Sequence, residues 1–178
     1  MAKLSAGILV FRRPTSDVEV FLVHPGGPFW EKKDVGAWSL PKGEYTQGED
    51  PFSVAKREFE EETSLKIDGN FIALGDIRQP SGKVITAWAV EGEADPTRVK
   101  SNLFTMEWPP KSEQTQSFPE VDRAGWFVLS DARAKILKGQ VGFLDRLQEK
   151  LEIPRTQELV VTRADGGGDD APKQGSLF

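Results

Sequence analysis

One segment between two groups of β-rich runs has the features of an α-helix, and its placement limits the fold more than any other part of the sequence. Asp50 is a typical N-cap residue, and Pro51 suits the first helical position. Three apolar side chains then recur at helical spacing and give the segment one buried face: Phe52, Ala55 and Phe59. We therefore expect a helix that runs from Pro51 to about Thr63.

β-rich runs lie on both sides of this helix. Strands are predicted at residues 4–12, 18–24, 38–40, 71–77, 84–90, 103–108 and 124–129. The polar stretch 109–119 is interpreted as a loop. Ser130 and Asp131 are expected to cap a second helix through about Lys138, and residues 141–151 form a third amphipathic segment. Strands around an early helix, with helices later, predict a mixed α/β sandwich.

The composition narrows the chemistry that the chain can perform. It contains no cysteine and a single histidine, His24, which excludes disulfides, thiolate catalysis and metal sites built from cysteines or several histidines. A metal ion would therefore be held by oxygen atoms, as magnesium, manganese and calcium are. The net charge of −5 provides no basic field that would favour a nucleic-acid duplex as the main partner.

The two ends of the sequence differ in character. The apolar run Ala6–Phe11 is too short for a signal segment or a membrane span, so we interpret it as part of a strand and expect a cytoplasmic protein without a membrane partner. From Ala164 onward glycine, aspartate and proline dominate, and this predicts a flexible tail.

The helix carries a concentration of negative charge. Glu58, Glu61 and Glu62 stand at positions i, i+3 and i+4 and share one face, whereas Glu60 points elsewhere. Like charges at this spacing destabilise a helix by a few tenths of a kcal/mol per pair, and bound hard cations would turn the repulsion into coordination. The alternative is a solvated acidic face on which Arg57 makes surface ion pairs.

The residues around these glutamates follow a longer pattern: a glycine, five residues, a glutamate, seven residues, and then Arg-Glu-apolar-any-Glu-Glu. The pattern is formed by Gly43, Glu49, Arg57, Glu58, Phe59, Glu61 and Glu62, with Leu65 in a last apolar position. It closely resembles the signature box of the Nudix hydrolase family. Ser64 stands where the family usually has glycine. That glycine would end the helix in a left-handed conformation, which costs serine about 1 kcal/mol.

The resemblance implies a fold and an activity. The fold is an α/β/α sandwich with a mixed β-sheet, in one domain over residues 1–155 that is followed by an extension over residues 156–178. The activity is hydrolysis of a phosphoanhydride with Mg²⁺ or Mn²⁺ as cofactor. Dinucleoside polyphosphates and (d)NTPs are the first substrates to expect, ahead of inositol pyrophosphates and capped RNA ends. The alternative is a Nudix-fold nucleotide-binding or regulatory module without turnover.

The resemblance also implies a ligand set. The metal ligands would be Glu58, Glu61, Glu62 and the backbone carbonyl of Lys42 beside Gly43. Glu49 would support them through a hydrogen bond to Arg57, which we expect to be bidentate. Many family members supply a further acid from a loop late in the chain. The candidate here is Glu120, with Glu113 as the second choice.

Substrate contacts are expected from three places. The segment Trp38–Gly43 has a W-x-x-P-K-G pattern that resembles Nudix enzymes of polyphosphorylated substrates, which makes Lys42 a phosphate contact. Trp38 is either a stacking platform or a core residue. Arg78 and Lys83 flank a turn and are expected to bind distal phosphates. A loop with aromatic residues and lysines, residues 29–34, would suit a nucleobase and phosphates.

The last five residues form a separate motif. Gln174, Leu177 and Phe178 are spaced as in the short peptide by which bacterial replication and repair proteins dock on the sliding clamp. A glutamine with two apolar anchors suits recognition in a pocket. The sequence therefore predicts docking on a sliding clamp through this tail.

Overall fold

The centre of the fold is a mixed β-sheet of six strands, described by a computed structural model over residues 2–154. Five strands follow the order β4-β5-β1-β2-β8, and β3 also pairs with β1. The strands of this sheet are β1 (Leu4–Arg12), β2 (Glu19–Pro25), β3 (Lys42–Tyr45), β4 (Phe71–Arg78), β5 (Val84–Glu91) and β8 (Val121–Val128).

Strand β1 is the central strand and is buried along nearly its whole length. It runs parallel to β5 and antiparallel to both β2 and β3. The end of β1 pairs with β2, where Phe11 lies opposite Val20, while its beginning pairs with β3, where Gly7 lies opposite Lys42. The same strand therefore supports the sheet and the short strand that begins the signature box.

Helices cover both faces of the sheet. On one face Phe21 of β2 packs against Phe59 of α1 (Pro51–Thr63), with ring centroids 6.3 Å apart. On the other face α2 (Leu129–Lys135) packs against β2 and β8, and the start of α3 (Val141–Lys150) buries Phe143 and Leu144. The mixed sheet between helices confirms the predicted α/β/α sandwich.

A separate two-stranded sheet replaces part of an expected loop. Its strands are β6 (Leu103–Glu107) and β7 (Thr115–Pro119), with Thr105 opposite Ser117. The prediction of a loop over residues 109–119 is therefore wrong for its second half. Residues 115–117 are polar and exposed, so β7 is stabilised by its pairing with β6 and has no apolar alternation of its own.

Two further boundaries differ from the predictions. Trp38 and Ser39 make only isolated bridges, and the regular strand begins after Pro41, which has no N–H to donate. Helix α2 begins at Leu129 and its N-cap is Val128, which makes no side-chain cap bond. The expected cap at Ser130 and Asp131 is wrong because β8 leads directly into the helix.

Among residues 2–154 no helix is long and apolar enough to cross a membrane. A second compact unit begins at Gln148, where the side-chain amide donates a hydrogen bond to the carbonyl of Pro154 at 3.0 Å. The predicted flexible tail and the docking motif at Gln174, Leu177 and Phe178 lie outside the described residues.

Candidate active site

Helix α1 is fixed at both ends by side-chain hydrogen bonds. The carboxylate of Asp50 accepts hydrogen bonds from the backbone N–H of Ser53 at 3.1 Å and from its hydroxyl at 2.7 Å. At the other end Ser64 adopts the left-handed conformation, with φ 60° and ψ 16°, and its hydroxyl donates to the carbonyl of Lys100. The predicted helix is confirmed, and Ser64 takes the conformation for which glycine is usual.

Strand β3 lies close against the glutamate face of α1. A Cβ atom on Gly43 would stand 2.0 Å from Cδ of Glu58, so only glycine allows this approach. One position earlier, the backbone N–H of Lys42 donates to Oε2 of Glu62 at 3.2 Å. The two carboxylates are therefore held beneath the strand that carries Lys42 and Gly43.

Burial and like charge shift the pKa values of these groups. Burial raises the pKa of Glu62 to about 8. Burial, and next the charge of Glu61, raise the pKa of Glu58. The pKa of Lys42 is lowered by burial and next by the neighbouring Lys83. Such shifts mark a site where charge is concentrated away from water and where an opposite charge would be stabilising.

Arg57 interacts with three carboxylates. Its guanidinium lies 3.4 Å from Oε1 of Glu49, 3.7 Å from Oε1 of Glu58 and 3.8 Å from Oε1 of Glu61. The expected bidentate contact with Glu49 is absent, because the other oxygen of Glu49 accepts hydrogen bonds from the N–H and hydroxyl of Thr46. Arg57 instead balances the charge of several glutamates.

The carboxylates do not converge on a single point in this arrangement. Within residues 2–154, no group of three or more histidine, aspartate or glutamate side chains is close enough to hold a metal ion as placed. The donor chemistry nevertheless fits a hard cation, because Glu58 and Glu62 offer oxygen atoms at raised pKa values that a positive charge would lower.

One late acidic residue, Glu120, lies between β7 and β8 and acts electrostatically on this face. Its negative charge contributes to the raised pKa values of both Glu58 and Glu62. Its backbone is held by two hydrogen bonds, from its own N–H to Asn102 and from the N–H of Gly26 to its carbonyl. The second choice, Glu113, is exposed and lies in the connection between β6 and β7. Of the two acids, only Glu120 influences these glutamates.

The predicted phosphate contacts lie on β3 and on the β4–β5 hairpin. Lys83 lies near Lys42, and its Nζ is 3.5 Å from a carboxylate oxygen of Glu44. Arg78 is exposed at the end of β4. The lysine pair therefore adjoins the glutamate face, and Arg78 stands at the turn beyond it.

Trp38 does not fit the predicted role of a substrate contact. Its side chain is only 6% exposed, and its indole N–H donates to Asp34 at 2.8 Å. The ring packs edge-on against His24 and Phe127, with Arg123 above it. Trp38 is a core residue because its edges and face are already occupied.

Two buried polar residues support the site without any local sequence signal. The side-chain amide oxygen of Gln140 accepts a hydrogen bond from the N–H of Leu40 at 3.1 Å, just before the signature box. The ring of His24 is fully buried, with Nδ1 2.8 Å from Asp122 and Nε2 2.6 Å from the carbonyl of Lys33. Their partners lie up to 100 positions away, so spacing alone does not reveal them.

Comparisons with known proteins found a relative that is similar in sequence. Nudix hydrolase 7 of Arabidopsis thaliana is 32% identical over 119 residues, which are 62% of this chain and 40% of that protein. The matched region thus spans less than half of that relative.

Solved structures show the same fold. An Ap4A hydrolase of C. elegans in a binary complex has a TM-score of 0.57 at 20% identity, covering 83% of this chain and 98% of the other. The NUDIX domain of Shewanella oneidensis NrtR, complexed with ADP ribose, has a TM-score of 0.58 at 17% identity, covering 85% and 89%.

The family comparison includes the whole site described above. The NUDIX domain matches residues 1–147, a range that contains α1, β3 and Glu120. The resemblance found in the signature box is confirmed, and this chain belongs to the NUDIX domain family.

Proposed function

We propose that this chain is a metal-dependent pyrophosphohydrolase that cleaves a phosphoanhydride bond in a nucleoside polyphosphate. The observation that carries the proposal is the glutamate face of α1, where Glu58 and Glu62 lie under β3 with raised pKa values. A helix without a charged ligand gains nothing from this arrangement, since like charges and burial both destabilise it.

Mg²⁺ or Mn²⁺ is the cofactor that suits these donors. The residues that would hold it are Glu58, Glu61, Glu62, Glu120 and Lys42 through its backbone carbonyl. When bound, such an ion neutralises phosphate oxygens and lowers the pKa of a coordinated water. The first effect opposes the electrostatic cost of bringing a polyphosphate to an acidic surface.

The remaining residues have roles that follow from their positions. Lys42 and Lys83 adjoin the glutamate face and would contact phosphate oxygens, with Arg78 reaching a distal phosphate. One of the three box glutamates would accept the proton of the attacking water. Arg57, supported by Glu49, would keep the glutamates oriented.

The substrates that we place first are dinucleoside polyphosphates and (d)NTPs, ahead of inositol pyrophosphates and capped RNA ends. The similarity to a C. elegans Ap4A hydrolase and to a NUDIX domain complexed with ADP ribose supports a nucleotide ligand. Both proteins share the fold at low identity, so the choice among these substrates requires a panel of them.

The test compares Glu61→Gln and Glu62→Gln with the matched control Glu60→Gln. Glu60 is exposed on the same helix and outside the proposed ligand set. We expect the first two variants to lower kcat by about a hundredfold or more in magnesium, with an unchanged circular dichroism spectrum, and the control to keep its activity. Undiminished turnover in both test variants would refute the assignment.

A second candidate is a nucleotide-binding module without turnover. The observation that favours it is the position of Arg57, whose guanidinium lies 3.7 Å from Glu58 and 3.8 Å from Glu61 and balances part of their charge without a metal ion. Tight binding of ATP or diadenosine tetraphosphate, with no hydrolysis of any panel substrate in magnesium or manganese, would select this candidate.

The C-terminal motif leads to a separate proposal about partners. Gln174, Leu177 and Phe178 would dock on a sliding clamp and bring the enzyme to sites of DNA synthesis. A pull-down with purified clamp compares the intact chain with one lacking residues 174–178. Equal retention of the two chains would exclude this docking.

A further inference from the structure

A cleft of about 330 Å³ lies between the loop after β2 and the β6–β7 hairpin. We call it the aromatic cleft and define it by Phe29, Trp30, Phe104, Met106 and Glu120. Its volume is in the range of small-molecule sites, and most of its side chains are aromatic or apolar. Phe29 is 59% exposed although it is a large hydrophobic residue, so an uncovered ring borders the cleft.

Two glycines allow the loop to lie directly against the hairpin. A Cβ atom on Gly27 would stand 2.8 Å from Cζ of Phe104, and one on Gly26 would stand 1.9 Å from the carbonyl oxygen of Pro119. The N–H of Gly26 also donates to the carbonyl of Glu120 at 3.0 Å. The two sides of the cleft are therefore joined by backbone contacts and the cleft is preformed.

The aromatic residues of the loop are held in place on both sides. His24, just before the loop, lies 2.6 Å from the carbonyl of Lys33, and this contact ties the two ends of the loop together. The ring of Phe29 meets the ring of Trp108 edge-on, with centroids 5.6 Å apart. A ligand that enters the cleft would therefore lose little affinity to the cost of ordering the loop.

The aromatic cleft shares one residue, Glu120, with the candidate active site. Glu120 borders the cleft and also acts electrostatically on Glu58 and Glu62. A ligand with a flat apolar part in the cleft would thus carry its polar part towards the glutamate face. This direction suits a molecule that joins an aromatic ring to a chain of phosphates.

We propose that the aromatic cleft binds the nucleobase of the substrate through stacking and apolar contact with Phe29, Trp30 and Met106. This inference rests on the proposed function and removes inositol pyrophosphates from the substrates considered there. Bases present flat faces to aromatic rings, and such contacts contribute strongly to nucleotide binding. An inositol pyrophosphate has no such face, and its phosphates would be repelled by Glu120 and poorly solvated among apolar side chains.

The experiment measures binding, so that it is independent of turnover. The first ligand is an ATP analogue in which methylene groups replace both phosphoanhydride oxygens, and the second is the matching base-free triphosphate analogue. Each is titrated calorimetrically, in magnesium, into the full chain and into Phe29→Ala and Phe29→Tyr. The matched control is Val35→Ala, which removes another exposed apolar side chain from the same loop.

We expect Phe29→Ala to raise the Kd of the ATP analogue about tenfold or more and to change that of the base-free analogue less than about twofold. Phe29→Tyr keeps the ring and should restore binding, and Val35→Ala should bind like the natural chain. Equal losses for both ligands, or no loss for either, would overturn the proposal. A natural chain that binds the ATP analogue no more tightly than the base-free one would also overturn it.

Two combinations of results distinguish the nucleobase site from the catalytic assignment. If box-glutamate substitutions leave hydrolysis unchanged while Phe29→Ala still separates the two analogues, the nucleobase site stands and the proposed catalytic assignment falls. If hydrolysis depends on the box glutamates while the two analogues bind alike, the catalytic assignment stands and the nucleobase site falls.

Discussion

At Gly43 the absence of a side chain decides where β3 lies. A methyl group there would stand 2.0 Å from Cδ and 2.1 Å from Oε2 of Glu58, too close for any real contact. The strand, the glutamate or both would have to move. Gly43 therefore determines where the Glu58 carboxylate, a proposed metal ligand, can lie, although Gly43 has no side chain that could bind a metal.

We expect Gly43→Ala to lower kcat/KM about a hundredfold, because the carboxylate of Glu58 must move away from β3, and to change the free energy of unfolding by less than about 1 kcal/mol, because a flexible side chain can make room. Steady-state kinetics and chemical denaturation measure the two effects. The control is Gly125→Ala in β8, where a Cβ would meet only the ring of Phe127 at 3.3 Å. Normal activity of Gly43→Ala would show that Glu58 does not need this approach.

Residue types in the signature box predicted the glutamate face. The packing and hydrogen bonding of single residues could not be predicted in the same way. The sequence around Trp38 fits a ligand contact and a core residue equally well. Its packing against His24 and Phe127 shows that it is a core residue. Similarly, the number of contacts that Arg57 makes with Glu49 depends on Thr46, which occupies one carboxylate oxygen. The spacing of residues along the sequence does not show which neighbours compete for the same hydrogen-bonding atom.

At the scale of elements, the start of α1 depends on Asp50. Hydrogen bonds from Ser53 lower the pKa of this carboxyl below its usual value of 3.8. A lowered pKa contributes stability above 3.8 that is lost as the pH falls through the lower value of the folded state. The charge at this helix end is therefore tied to the stability of the helix that carries the glutamates.

We expect Asp50→Ala to lower the Tm by roughly 2–4 °C at neutral pH, and Asp50→Asn to lower it less, since asparagine keeps the accepting oxygen. The difference between the natural chain and Asp50→Ala should shrink when the pH is lowered from about 5 to about 3. Thermal unfolding followed by circular dichroism checks both statements. A difference that grows with acidity would contradict them.

The end of α1 is stabilised in another way. Ser64 has a positive φ that costs a non-glycine residue about 1 kcal/mol, and its hydroxyl donates to the carbonyl of Lys100. The hydrogen bond contributes a similar amount, which offsets the conformational cost. The departure from the family pattern at this position therefore has a local compensation.

The pair Ser64→Ala and Ser64→Gly separates these two effects. We expect Ser64→Ala to lower the free energy of unfolding by about 1 kcal/mol, since it loses the hydrogen bond and keeps the backbone strain. Ser64→Gly loses the bond and the strain together, so it should stay within about 0.5 kcal/mol of the natural chain. Equal stabilities of the two variants in urea denaturation would contradict this account.

Elements with an internal periodic signal were predicted within a residue or two, as for α1, β1 and β5. Those that depend on a partner were not. Strand β7 has three exposed polar residues and exists through its pairing with β6. Helix α2 starts one residue earlier than its apparent cap, and the N–H of Leu129, which has no partner within the helix, donates to the carbonyl of Val18 on the segment that precedes β2.

At the scale of the whole molecule, the site depends on contacts between distant parts of the chain. Gln140 holds Leu40 just before the box, and the contact of His24 with Asp122 joins the end of β2 to the start of β8. The family resemblance predicted the sandwich without showing these contacts. They became visible only when the fold brought residues about a hundred positions apart together.

The activity should not require residues 156–178. The family match covers residues 1–147, and every residue that we assign to catalysis, metal binding or the aromatic cleft lies within it. A chain that ends at Arg155 should therefore unfold at the same temperature as the full chain and keep its kcat/KM within about twofold. Differential scanning calorimetry and steady-state kinetics on the two chains test this. Loss of activity at unchanged Tm would instead show that residues 156–178 contribute to substrate binding, and the domain boundary predicted from the sequence would have to move towards the end of the chain.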